Sequence, residues 1–221
     1  MTVKAILFGS IGTLVETSEI QRRAFNQAFA EFGLAWNWSV DTYKGLLKKS
    51  GGINRIQDYA DNIGVNIDSK ILHKRKNEIF DTFMTESKVP LRNGINNVIQ
   101  FSKKNNIKLA FVTSTSKSNI DVVFSALNNE VTRDDFDFIG NDTMVTKPKP
   151  SPEIYVKALS DLGLHSQNCI AVEDTETSML AAQTAGIRCI AFPGNYAITQ
   201  DFSNALLITD CLSPSHFWTN A

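Results

Sequence analysis

The run Ala5-Ile-Leu-Phe-Gly9-Ser10-Ile11-Gly12-Thr13-Leu14 decides how the rest of the chain is read. An apolar stretch breaks into Gly-x-x-Gly-Thr, as a buried strand does when it ends in a tight loop at a phosphate site. Apolar runs of the same kind recur at residues 3–8, 108–112, 136–139, 169–172, 189–192 and 205–208. Between most of them lie amphipathic segments of helical period, such as residues 95–102 and 152–162. This alternation predicts an α/β fold, a Rossmann-like parallel sheet with helices on both faces. Strands covered on both faces are nearly all apolar, and these are.

Residues 16–89 break the rhythm, offering no convincing strand and several helical patterns. Ile20, Ala24, Phe25, Ala28, Phe29 and Phe32 recur at helical spacing, and Gly33 ends that helix as a left-handed cap. Further helices fit residues 40–48, 53–63 and 69–84. Phe25, Phe29 and Phe32 are expected in the core of this segment. Pro90 and Gly94 mark the turn back to the sheet. The expected organisation is therefore a sheet domain built from residues 1–15 and 90–221, with residues 16–89 as an inserted all-helical cap.

With 221 residues the chain can bury one ordinary core plus an insertion without staples. A net charge of -1, a pI near 6.3 and interspersed lysines and acids give no reason to expect nucleic acid. Cys169, Cys189 and Cys211 lack metal-ligand spacing and read as reduced core residues. No long hydrophobic segment follows Met1, so a soluble, cytoplasmic monomer that does not meet a membrane is expected.

In open parallel sheets ligands bind beyond the carboxyl ends of the strands. Thr113 and Ser114 stand at one such end, just before a helix, where hydroxyl and backbone N–H groups together hold phosphate oxygens; plain helix capping is the competing role. Thr146-Lys147-Pro148-Lys149-Pro150-Ser151-Pro152 carries three prolines that hold a lysine in place for an anion, unless it is a solvated linker. Glu173 and Asp174 end another apolar run, as oxygen ligands for Mg²⁺ or as caps of the next helix.

The order and spacing of these four segments resemble the haloacid dehalogenase (HAD) superfamily over nearly the whole chain. Its first motif reads Asp-x-Asp-Gly-Thr-Leu, so Gly9 and Ile11 stand where the resemblance places the covalent nucleophile and the general acid/base. Thr113 matches the motif-two hydroxyl, and Lys149, in Lys-Pro-Ser-Pro-Glu-Ile-Tyr, matches the motif-three lysine. Glu173 and Asp174 match the acidic pair of motif four, the Asp normally a Mg²⁺ ligand. Within the superfamily the chain resembles the sugar-phosphate branch, phosphatases and β-phosphoglucomutase, and especially the CbbY-like phosphatases that act on xylulose bisphosphate. Residues 16–19, 24–29, 36–38 and 51–56 carry that likeness. Arg55 survives there as a candidate contact for a substrate phosphate or carboxylate, while Ile53, Asn54 and Gln21 depart from the pattern, the last standing where a His is usual.

Glycine has no atom that can attack phosphorus, and isoleucine cannot give a proton to a leaving oxygen, a role worth roughly 10² to 10⁴-fold. Nucleophilic catalysis at the usual place is excluded. A Mg²⁺ site would keep Asp174 and Glu173, weakened but not forbidden. Loss of two carboxylates also makes the pocket more positive by two charges than the family's, suiting it to a phosphate dianion without metal. Three accounts follow: a pseudophosphatase that binds a phosphorylated small molecule such as a sugar phosphate, an active phosphohydrolase with chemistry moved to Ser10, Glu16 or Asp174, and a structural or partner-binding protein. Strand alternation turns Ser10 away from Gly9 and Ile11, and Glu16 reads as a cap of the first inserted helix.

Overall fold

A computed structural model describes residues 2–48, 51–87, 89–127 and 130–218. In chain order its elements are β1 (Ala5–Phe8), α1 (Ile11–Leu14), α2 (Ser18–Glu31), α3 (Val40–Leu46), α4 (Gly52–Asn62), α5 (Ser69–Glu86), α6 (Ile95–Lys104), β2 (Lys108–Phe111) and α7 (Lys117–Ala126). Then come β3 (Phe138–Ile139), α8 (Glu153–Leu162), β4 (Cys169–Glu173), α9 (Glu176–Thr184), β5 (Arg188–Ala191) and β6 (Leu207–Ile208). The six strands pair in parallel in the order β3-β2-β1-β4-β5-β6.

Strand alternation divides the core in two. Ile6, Phe8, Leu109, Phe111, Ile170 and Val172 face one side, in a cluster that runs on into the helices between β1 and β2. Ala5, Leu7, Ala110, Ala171 and Ala191 face the other, where small residues let Tyr155, Ala158, Ala181 and Ala182 of α8 and α9 come close. Central strands are therefore apolar on both faces, as expected. The outermost strand is the exception: Leu207 and Ile208 are both exposed, because β6 lies at the sheet edge.

All four helices α2 to α5 fall where helical spacing predicts them, with ends shifted by a few residues. Gly33 takes φ 68°, the left-handed stop that a side chain would resist. Trp38 anchors this region. It is fully buried between Phe25 and Phe29, with ring centroids 4.8 and 4.7 Å away, and its backbone is clamped on both sides by the Asn26 amide. Phe32 departs from expectation, at 41% exposed, because the helix has ended there. Among the cysteines, Cys169 and Cys189 are buried free thiols, but Cys211 lies exposed beyond β6 and is no core residue. Phe217 is buried and Trp218 packs edge-on against Phe101, as a terminal segment lying on the sheet's helices should. Among the described residues no helix is long and apolar enough to cross a membrane.

Candidate functional site

Gly9 is the first residue beyond β1, and its N–H continues the ladder to Val172 at 2.9 Å. Register aligns Phe8 with Phe111 and with Val172, so Gly9 emerges beside Glu173 at one end of the sheet, with Thr113 one residue further along on the other side. The strand containing Glu173 runs one residue further than the apolar pattern suggests. That brings its side chain into the wall of the site rather than into the loop.

Lys149 is the centre of the cluster. Its buried ammonium donates to Glu173 Oε1 at 2.6 Å and to the Gly9 carbonyl, and lies 4.9 Å from the centre of the Tyr155 ring. The Tyr155 hydroxyl donates to the same Oε1 at 2.6 Å. Glu153 holds the lysine loop in place, accepting from the N–H groups of Lys147 and Thr146 and from the Thr146 hydroxyl, and these bonds keep its carboxyl ionised below the usual range. The segment is thus a built support and not a solvated linker.

Glu173 occupies the room a side chain at position 9 would use. A Cβ on Gly9 would overlap Glu173 Oε1 and the Tyr155 hydroxyl. Its other oxygen, Oε2, is buried with no hydrogen-bond partner. Burial pushes the Glu173 carboxyl up to about 7, the neighbouring Asp174 charge adds to this, and Lys149 opposes it. Asp174 is half-buried, also raised chiefly by burial, and accepts from the Ser10 hydroxyl at 2.7 Å. Its carboxylate lies directly over the Gly12 backbone, so that a Cβ there would overlap it; only glycine fits under this acid. Ser10 therefore reaches the acidic pair despite alternation, because β1 has already ended.

Ile11 opens α1 as a buried apolar residue. Thr113 is buried, with its hydroxyl accepting from the Thr115 N–H at 3.2 Å. Ser114 is half-buried at the mouth of the same loop, but the helix entry lies further on: Ser116 caps α7, accepting from Asn119 N–H. Helix α7 thus begins at Lys117, two residues further from the Thr113-Ser114 pair than a direct strand-to-helix entry would place it, and its cap is Ser116 rather than either of them. Arg55 is a buried residue of α4, not a solvated one, with Nε donating to the Leu46 carbonyl at 3.0 Å and its guanidinium over the Tyr43 ring. Glu16 accepts from Ser18 N–H at 2.9 Å, at the start of α2, and from Asn195 N–H at 2.7 Å.

Arg92 lies between Pro90 and Gly94, in the turn back to the sheet. It donates to the carbonyls of Gly12, Phe192 and Pro193 at 2.7, 2.7 and 2.6 Å, tying the loop after β1 to the loop after β5 at the point where the chain returns from α5. These partners lie 80 to 101 residues away, so no local pattern marks them.

Two carboxylates side by side, one with an orphaned oxygen, form a donor set that fits Mg²⁺ only in part. Asp174 and Glu173 could hold it with backbone carbonyls, but Glu173 Oε1 is already engaged by the lysine. Among the described residues no cluster of three or more His, Cys, Asp or Glu side chains could hold a metal.

Residues 6–192 match the model of the haloacid dehalogenase-like hydrolases. The chain belongs to that family. It is 36% identical over 208 residues to Protein CbbY of Rhodobacter capsulatus, covering 93% of this chain and 92% of that protein. The CbbY protein of Cereibacter sphaeroides is 38% identical over 213 residues, with 94% and 92% covered. Among solved structures, CbbY from Rhodobacter sphaeroides in complex with phosphate superposes with a TM-score of 0.87 at 36% identity over 95% of each chain. A β-phosphoglucomutase from Clostridium difficile shares the fold at a TM-score of 0.78, 22% identity and coverage of 95% and 92%. The parallel sheet and its helices are thus the fold of this family.

Proposed function

We propose that this chain binds a phosphorylated sugar at the carboxyl end of the sheet, under the helices of residues 16–89 acting as a cap on a core of residues 1–15 and 90–221, and does not turn it over by the aspartyl route. The observation that carries this is the state of positions 9 and 11: bare backbone and a buried isoleucine, beside a retained Lys149 and Thr113. Groups that would hold phosphate remain, and the groups that would attack phosphorus and protonate the leaving oxygen do not. The ligand class is supported by the CbbY structures at 36% identity, one in complex with phosphate and a mutant in complex with xylulose-(1,5)bisphosphate. Phosphate would take over Lys149 from Glu173, whose raised carboxyl gives up its charge more readily than an exposed one.

The test is a panel of phosphorylated sugars with Mg²⁺, assayed for released phosphate, beside calorimetric titration with inorganic phosphate. No turnover together with binding is expected, and turnover by the wild type would sink the reading. Restoring the acids as Gly9→Asp/Ile11→Asp is expected to give hydrolysis only after Glu173 rotates away from position 9, so activity should be partial.

Metal dependence is a second expected outcome. Phosphate affinity should be nearly the same in EDTA and in Mg²⁺, because Lys149 remains while the two carboxylates whose repulsion metal would offset are absent at positions 9 and 11. A strict requirement for Mg²⁺ would overturn this.

One observation favours active chemistry instead. Ser10 Oγ donates to Asp174 at 2.7 Å, the arrangement of a hydroxyl nucleophile and its base. Turnover that disappears in Ser10→Ala but persists in Glu173→Gln would establish that reading.

A further inference from the structure

The loop after β5 reaches across to the helical insert. The Tyr196 hydroxyl donates to Glu19 Oε2 on α2, and its ring meets Tyr43 of α3 edge-on at 5.9 Å. Lys44 Nζ lies 5.8 Å from the same ring. Glu19 is itself held by Arg22 through two bonds of 2.9 and 2.7 Å, and Arg22 goes on to the carbonyl of the buried Trp38. Tyr196 thus grips a carboxylate that is fixed to the core of the insert. One residue earlier, Asn195 N–H donates to Glu16 just before the start of α2. Elsewhere Thr177 Oγ1 of α9 donates to the Lys48 carbonyl at 3.1 Å, and α5 packs along α7.

Behind this loop there is space. Pro193, Asn195, Ile198 and Gln200 line a cavity of about 900 Å³ together with Val89, Pro90 and Leu91, where the chain leaves the insert. The loop itself is pinned, by buried Ala197 and by the Gly194 N–H to the Asp174 carbonyl, so Tyr196 is presented to the insert from a fixed base while Asn195 and Ile198 border this space.

We propose that Tyr196 is a positioning residue, a latch that fixes the helical insert down over the carboxyl end of the sheet, and that a ligand enters when its hydroxyl leaves Glu19. A hydrogen bond to an ionised carboxylate is the strong kind, and breaking it should change the ratio of raised to lowered insert by about tenfold. The clause about ligand entry rests on the proposed function; the latch itself does not.

Labels on the two bodies test it directly. Cys211 is an exposed thiol on the sheet side, Cys169 and Cys189 are buried, and Ile63 at the end of α4 is 47% exposed and can be made Ile63→Cys. Spin labels at 63 and 211 should give one dominant separation in the wild type. Tyr196→Phe, which keeps the ring against Tyr43, should add a longer separation, and Tyr196→Ala should enlarge it further. The same distribution in all three proteins would overturn the latch, whatever the ligand. In a separate arm, the dissociation rate of inorganic phosphate should rise about tenfold in Tyr196→Phe. If the wild type binds no phosphate, the functional reading fails while the separations still decide the latch.

Discussion

A Lys149→Met variant should bind inorganic phosphate about 100-fold more weakly than the wild type, and should be less stable by about 3 kcal/mol at pH 8. The first effect follows because Lys149 is the buried cation of the cluster, and charge-assisted bonds to phosphate are the strongest a side chain makes there. The second follows because Glu173 would be left as a buried carboxylate with only the Tyr155 hydroxyl on Oε1 and nothing on Oε2. Burial already holds the Glu173 carboxyl at about 7 against an ordinary 4.5, so the folded protein binds a proton more tightly there than the unfolded chain does. Stability from this group is complete below pH 4.5 and is lost as pH rises through 7. Without the lysine the carboxyl rises further, and the loss extends to higher pH. Melting curves at pH 5 and pH 8 should therefore show a wide gap between the two proteins at pH 8 that closes at pH 5, where the carboxyl is protonated in both. An equal gap at both values would mean that the lysine is not what keeps Glu173 charged.

The parts of this protein that were legible in sequence are those fixed by short-range pattern. Strand runs, helix spacing and the turn at Pro90 and Gly94 place the sheet and the insert, because apolar periodicity and glycine stops act within a few residues. The lysine loop was legible in part for the same reason, since three prolines lie close together, but they left a solvated linker open until the bonds to Glu153 decided it. What could not be read is where charge goes once the loops meet. Pairing Lys149 with Glu173, rather than with Asp174, depends on β4 running one residue beyond its apolar stretch and on the empty volume at Gly9. Tyr155 closes that volume from α8, one turn into the helix, and the motif that contains it gives no hint that its hydroxyl would point at an acid. Arg92 and Tyr196 act through partners far along the chain, and neither stands in a motif. Missing acids at 9 and 11 were plain from the sequence, but their structural consequence was not: the neighbouring glutamate fills the vacated place.

Lys76→Met is expected to stabilise the protein, by about 2 to 4 kcal/mol at pH 6, raising Tm by about 5 °C or more. Lys76 is 3% exposed in the heart of the insert. Its ammonium donates to the neutral Gln21 carbonyl and to Asn77 Oδ1 at 3.4 Å, and otherwise faces the Phe25 and Phe80 rings at 4.9 and 4.8 Å. Burial lowers it from 10.5 to about 7, the Arg55 charge adds to this, and Asp81 opposes it only partly. His73, buried beside the same two cations, is driven down to about 4 and is neutral at any pH where the comparison is made. Because the unfolded chain binds the lysine proton more tightly, stability from this group rises with pH between about 7 and 10.5, and the full cost of the buried cation is carried below 7. Methionine fills nearly the same space against the two rings and carries no charge. The gain should therefore be largest at pH 6 and shrink steadily by pH 9. A lower Tm for Lys76→Met at pH 6 would show that the ring faces and the two amide oxygens hold the ammonium better than water does.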